Sequence, residues 1–106
     1  MPQITIKNVD LATVEKLSAQ ISETVRNIVN VPSEHIVVEH NSVSFFRKGL
    51  KDETTAMVWV CWKKRPKELR QKVAEAMAEI FFAEGFTTVE TIYDNLDMND
   101  FFEYKK

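Results

Sequence analysis

The sequence predicts an α/β domain of the α+β type, two β-α-β units forming one four-stranded sheet with two helices on one face. Three observations predict it. Runs rich in β-branched residues alternate with two long stretches of helical periodicity, in the order β-α-β, connector, β-α-β. The two halves register at an offset near 55 residues, which sets Ile4, Val14, Ile21, Val25 and Val37 opposite Trp59, Leu69, Ala76, Ile80 and Ile92. Right-handed crossovers then place both helices on the same side of the sheet.

Each element follows from its residues. Gln3 to Lys7 alternates polar and apolar, with Ile4 and Ile6 on one face, as a half-buried strand does. Asp10 or Thr13 can cap a helix from about Leu11 to Asn30, in which Val14, Leu17, Ile21, Val25 and Ile28 recur at helical spacing before Pro32. His35 to His40 and Ala56 to Trp62 read as the second and third strands. Between them, Asn41 to Thr55 holds Phe45, Phe46, Arg47, Lys48 and Gly49, read as a short extra strand followed by a mobile loop. Pro66 suits the first turn of a second helix, whose face carries Leu69, Val73, Met77, Ile80 and Phe81 until Gly85 stops it. Thr87 to Tyr93 is the last strand. The tail from Asn95 to Lys106, with Phe101, Phe102 and Tyr104, is expected to pack on a surface. One domain over residues 1–106 results, with halves at about 2–40 and 56–94.

Composition narrows the function classes. A chain of 106 residues with 44% hydrophobic and 28% charged residues has the balance of one globular domain, and its small core would gain from oligomerisation. A net charge of −2 gives no basic footprint for nucleic acid. Cys61 is alone, so no intramolecular disulfide forms, and with His35 and His40 the only histidines a Cys/His metal site is not expected. That usage fits a reducing cytoplasm. No apolar run approaches the roughly 18 residues that span a bilayer, and MPQITIKNVD lacks the pattern of a secretory signal, so no membrane partner is expected.

Three segments carry a resemblance: Met1-Pro2-Gln3-Ile4-Thr5-Ile6, Val31 to Val38, and Val58-Trp59-Val60-Cys61-Trp62-Lys63-Lys64-Arg65. With the doubled β-α-β order, they make the chain resemble the tautomerase superfamily, which includes oxalocrotonate tautomerase and macrophage migration inhibitory factor. The closest resemblance is to an uncharacterised bacterial branch that also begins Met-Pro and carries a Trp-x-x-Arg passage before the second helix. It implies a homotrimer with sites at subunit interfaces around each Pro2, exposed as the N-terminal residue once Met1 is removed. It further implies a tautomerase, isomerase or hydratase-like activity on a small carbonyl acid, with no cofactor.

The residues can be read for that chemistry. A proline amine whose charged form is disfavoured by burial or by nearby cations is neutral near physiological pH and can act as a general base. A retained Met1 would turn that amine into a peptide nitrogen. The cationic positions that the resemblance implies fall at Ala12, Val37 and Val31, so none is present. Lys63, Lys64 and Arg65, after the third strand, are the substitute substrate clamp, Arg65 first because its planar fork suits a carboxylate; otherwise they are a solvated turn. Glu39, on the same strand face as Val37, is the second catalytic candidate, orienting a water or acting as an acid; its alternative is an interface ion pair. The rival readings of the whole chain are a non-catalytic oligomeric binding module of the same fold, and a ferredoxin-like sandwich with an antiparallel sheet.

Overall fold

Ile4 and Ile6 are fully buried while Gln3, Thr5 and Lys7 between and beside them are partly exposed, so β1 (Gln3–Lys7) has one covered face. The computed structural model describes residues 1–106. Helix α1 (Leu11–Val29) starts where the Asp10 side chain accepts a hydrogen bond from Thr13 N–H at 2.7 Å. It ends at Asn30, which takes the left-handed conformation (φ 54°) that a C-cap asparagine tolerates, and bonds back to Arg26 C=O at 2.8 Å.

Two expectations for the following segment change. Pro32 initiates a 3-10 turn over Ser33–His35, closed by His35 N–H to Pro32 C=O and Ile36 N–H to Ser33 C=O, so β2 starts only at Val37 and runs to Asn41. The connector is a hairpin rather than a strand and a mobile loop. Its strands are β3 (Phe45–Arg47) and β4 (Leu50–Asp52), and Lys48 and Gly49 (φ 51° and 78°) form the left-handed two-residue turn that matches strand twist. Strand β5 (Thr55–Trp62), helix α2 (Lys67–Ala83) and β6 (Thr88–Asn95) complete the order. Gly85 (φ 100°) closes α2, with Phe86 N–H returning to Phe81 C=O at 3.1 Å.

The sheet order is β2-β1-β5-β6. The outer pairs β1/β2 and β5/β6 are parallel and the central pair β1/β5 is antiparallel, which rules out the all-antiparallel ferredoxin-like sheet. Ile4, Ile6, Val58, Val60 and Trp62 meet Val14, Leu17, Ile21 and Val25 of α1 and Val73, Met77, Ile80 and Phe81 of α2 in one core, so both helices cover the same face. The opposite face carries Thr5, Val37, Glu39, Met57, Trp59, Cys61 and Ile92 with no layer over it; Val37 keeps 51% and Ile92 38% of its exposure.

Burial also corrects the repeat. Leu17 and Val73, Ile21 and Met77, and Val25 and Phe81 are buried pairs 56 positions apart. An offset of 55 sets core-facing Ile4 against Trp59, which lies on the open face, because a slip of one residue turns a strand over.

Beyond β6, Leu96 N–H binds Trp62 C=O at 2.7 Å and Asp97 caps a 3-10 turn at Met98–Asp100. The rest of the tail does not pack on its own chain, since Phe102 and Tyr104 keep 73% and 91% of their exposure. No helix is long and apolar enough to cross a membrane.

Candidate functional site

Carrying the β1/β5 register one step past Gln3–Cys61 sets Pro2 beside Trp62 at the end of the sheet. On the other side Pro2 C=O accepts from Val37 N–H at 3.1 Å. Strand alternation puts the Pro2 ring on the core face with Ile4, and it is fully buried. Trp62 is held by two neighbours: its ring stacks on Tyr93 with centroids 4.8 Å apart and planes 11° from parallel, and the Arg65 Cζ stands 5.0 Å from its ring centroid. Tyr93 is fixed in turn by its hydroxyl, which donates to Arg70 C=O, and burial pushes its phenol up to about 12. The buried Trp62 Nε1 has no hydrogen-bond partner.

The sequence-predicted cations arrive at this same end. Lys63 and Lys64 are exposed; Arg65 is partly buried, donates from Nη1 to Lys63 C=O at 2.7 Å, and partial burial pulls its guanidinium below the usual arginine range. Arg70 Nε donates to Arg65 C=O at 3.1 Å, closing the turn around Pro66. None of Lys63, Lys64, Arg65, Lys67 and Arg70 forms an ion pair, unlike Lys16, Arg47, Lys51 and Lys105. Helix α2 opens here without a side-chain cap, adding the positive end of its dipole. The result is a group of basic side chains without ion-pair partners at this end of the sheet, with Glu68 in the first turn of α2 and Asp94 beside Cys61 the nearby acids.

Glu39 is elsewhere. Its Oε1 accepts from Thr5 Oγ1 at 2.6 Å and Gln3 Nε2 at 3.3 Å, on the open face. Its register partner Thr5 lies three residues beyond Pro2, about 10 Å along a strand, and Pro2 faces the other way. Within one chain the structure therefore does not bring the two catalytic candidates together. Cys61 shares the open face, and burial pushes its thiol up, consistent with an unreactive group. Trp59, also on that face, has the Lys7 ammonium 4.9 Å above its ring.

A cleft of about 750 Å³ lies at the far end of the sheet from Pro2, among Asn8, Asp10, His40, Lys51, Asp52 and Phe86. Sequence reasoning passed over Asn8, which builds this end: its Nδ2 donates to Asp52 C=O and Thr55 C=O, both at 2.8 Å, and its Oδ1 accepts from Phe45 N–H at 2.9 Å. An asparagine directly after an alternating strand was the available signal, since this side chain tolerates the left-handed backbone it adopts (φ 64°). His40 Nε2 lies 2.9 Å from Val9 C=O, and because a carbonyl only accepts, the proton sits on Nε2. Phe45 and Phe46 line a smaller open cleft with Met57 and Glu90. No cluster of His, Cys, Asp or Glu is placed to hold a metal ion.

A mixed sheet of two parallel pairs about a central antiparallel pair, with both helices on one face and a proline leading the first central strand, defines the tautomerase-superfamily fold. The chain belongs to the DUF1904 family, a domain of unknown function, whose family model matches residues 1–106. A DUF1904 protein from Sebaldella termitidis superposes with a TM-score of 0.86 at 23% identity, over 97% of this chain and 95% of its own. N1, a member of the cis-3-chloroacrylic acid dehalogenase family, gives 0.80 at 14% identity over 99% and 82%. F6, a fused 4-OT forming an asymmetric trimer, gives 0.84 at 9% identity over 96% and 92%. Comparison with curated proteins gives no sequence match.

Proposed function

We propose that this chain is a homotrimeric tautomerase or isomerase-like enzyme, in which Pro2, freed by removal of Met1, is the general base acting on a small carbonyl acid. The observation that carries this reading is the unpaired arginine over Trp62, at the end of the sheet where β1 begins: Arg65 is partly desolvated, braced on the Trp62 ring and free of any carboxylate. A fixed guanidinium without a counter-ion is suited to take a substrate carboxylate in bidentate fashion. Lys63, Lys64 and the α2 dipole add to the field that draws an anion there and that favours a neutral amine at Pro2. The open sheet face supports a trimer, because an uncovered face with Val37, Met57, Trp59 and Ile92 needs a covering layer, and F6 is a trimer of the same fold. Glu39 has an interface role in this reading.

Enol-to-ketone conversion of phenylpyruvate by protein whose intact mass lacks Met1 tests the reading. Pro2→Ala is expected to lower kcat at least about 100-fold, and Arg65→Ala to raise KM with a smaller change in kcat. Unchanged turnover in Pro2→Ala, or no turnover in the processed wild type across several 2-oxo acids, would sink it. A second reading, a binding module of the same fold without chemistry, draws on the complete burial of the Pro2 ring and the distance of Glu39. It expects anion binding that depends on Arg65 and is indifferent to Pro2→Ala.

A further inference from the structure

Two buried side-chain polar atoms lack a partner, Thr91 Oγ1 and Trp62 Nε1. Thr91 sits on the edge strand β6 beside Val58, where its hydroxyl can rotate. Trp62 cannot adapt in that way. Its indole stacks on the Tyr93 ring and carries the Arg65 guanidinium over it, the Tyr93 hydroxyl is itself bonded to Arg70 C=O, and the side chain has no exposed surface. A rigid, buried N–H with nothing to accept it is an expensive arrangement for a fold to keep, and such groups call for an acceptor from outside the chain. Its neighbours name the acceptor. Pro2 and Trp62 are the next residues past the last pair of β1 and β5, Gln3 and Cys61, and the Arg65 guanidinium lies over the Trp62 ring.

We propose that the Trp62 indole N–H is the oxyanion donor of the Pro2 site, and that the site takes 2-oxo acids or their enols, with the carboxylate on Arg65 and the adjacent oxygen on Trp62. This rests on Pro2 being the base. When the Pro2 amine takes a proton from the carbon next to the carbonyl, the C–H electron pair moves into the carbon framework and the charge develops on the carbonyl oxygen. A preset neutral donor at that oxygen stabilises the charge as it develops. Pro2 then delivers the proton to that oxygen, giving the enol and discharging the oxygen charge; the ketone forms by the reverse steps. Trp62 does this without titrating, so its contribution is independent of pH.

The test uses oxalate, a planar dianion with vicinal oxygens, as the probe. In a ¹⁵N–¹H spectrum of the processed protein, Trp59 and Trp62 give the only two indole signals, assigned with Trp59→Phe. Oxalate is expected to move the Trp62 indole proton downfield and leave Trp59 in place. Trp62→Phe, which keeps the stack and loses the N–H, is expected to weaken oxalate binding roughly tenfold. Oxalate binding with an unmoved Trp62 signal, or no binding at millimolar oxalate, overturns the proposal, and the wild-type spectrum decides even where the variant does not fold. Failure of the Pro2 reading is separately visible: Pro2→Ala would then convert phenylpyruvate at the wild-type rate, whatever oxalate does to the Trp62 signal.

Discussion

Asn8 shows how much one side chain can hold. It leaves β1 in a left-handed conformation and ties the hairpin to the sheet with two donated bonds and one accepted bond. Asn8→Ala removes all three and leaves the left-handed backbone to a residue that tolerates it less well than asparagine, aspartate or glycine. A loss of about 2–3 kcal/mol in urea unfolding is expected. Asn8→Asp keeps the acceptor for Phe45 N–H and loses both donations, so it should fall between wild type and alanine. An alanine variant as stable as wild type would show that the hairpin is held by other contacts.

Among the elements, the β3–β4 hairpin is the one whose attachment depends on charge. Asp52 at its base accepts from Arg47 Nε and Thr55 Oγ1, both at 2.6 Å, and from Thr54 N–H at 2.9 Å, and these bonds, that from Thr55 first, hold its carboxyl well below the usual range. A carboxyl depressed by folding contributes stability that is complete above its unfolded pKa near 4 and is lost as pH falls toward the folded value. The hairpin should therefore stay docked between pH 7 and 5 and loosen only in stronger acid. Amide exchange of Phe45 to Asp52 at pH 7, 5 and 3 measures this, and Asp52→Asn should flatten the profile; loosening between pH 7 and 5 would contradict it.

The elements also show what a sequence can and cannot carry. Helix α1 was legible because Val14, Leu17, Ile21 and Val25 report a single buried stripe and Asp10 reports its start. The start of β2 was not, because Ile36 has strand chemistry but is caught in the turn that Pro32 begins. The hairpin was missed because Lys48 is a poor advertisement for a left-handed turn, a position where asparagine is the usual signal. At the site, the direct passage from β5 into α2 was legible, and it sets Lys63, Lys64 and Arg65 at one end of the sheet. The remoteness of Glu39 and the stacking of Trp62 on Tyr93 depend on register between strands far apart in the chain, which local pattern does not encode.

For the whole molecule the open sheet face sets the expectation. A sheet covered on one side only, with Val37 half-exposed beside Glu39, belongs to a larger assembly if the trimer reading holds. Val37→Arg places a charge in that face without touching the core. It should give a monomer by analytical ultracentrifugation with an unchanged far-UV circular dichroism spectrum, while the wild type sediments as a trimer and melts at higher temperature as its concentration rises. A wild-type monomer at all concentrations would remove the oligomer from the proposed function.

The central place of β1 also fixes a sequence of events during synthesis. Gln3 pairs with Val37 on one side and Cys61 on the other, so a nascent chain can build β1-α1-β2 while one edge of β1 stays bare. Trp62, the neighbour that covers Pro2, emerges from the ribosome only when most of the first half has already had time to form. The β5 side of β1 is thus bare throughout early translation, and the Pro2 ring is buried in the finished fold. Under the proposed function, trimming of Met1 belongs to the interval before β5 arrives.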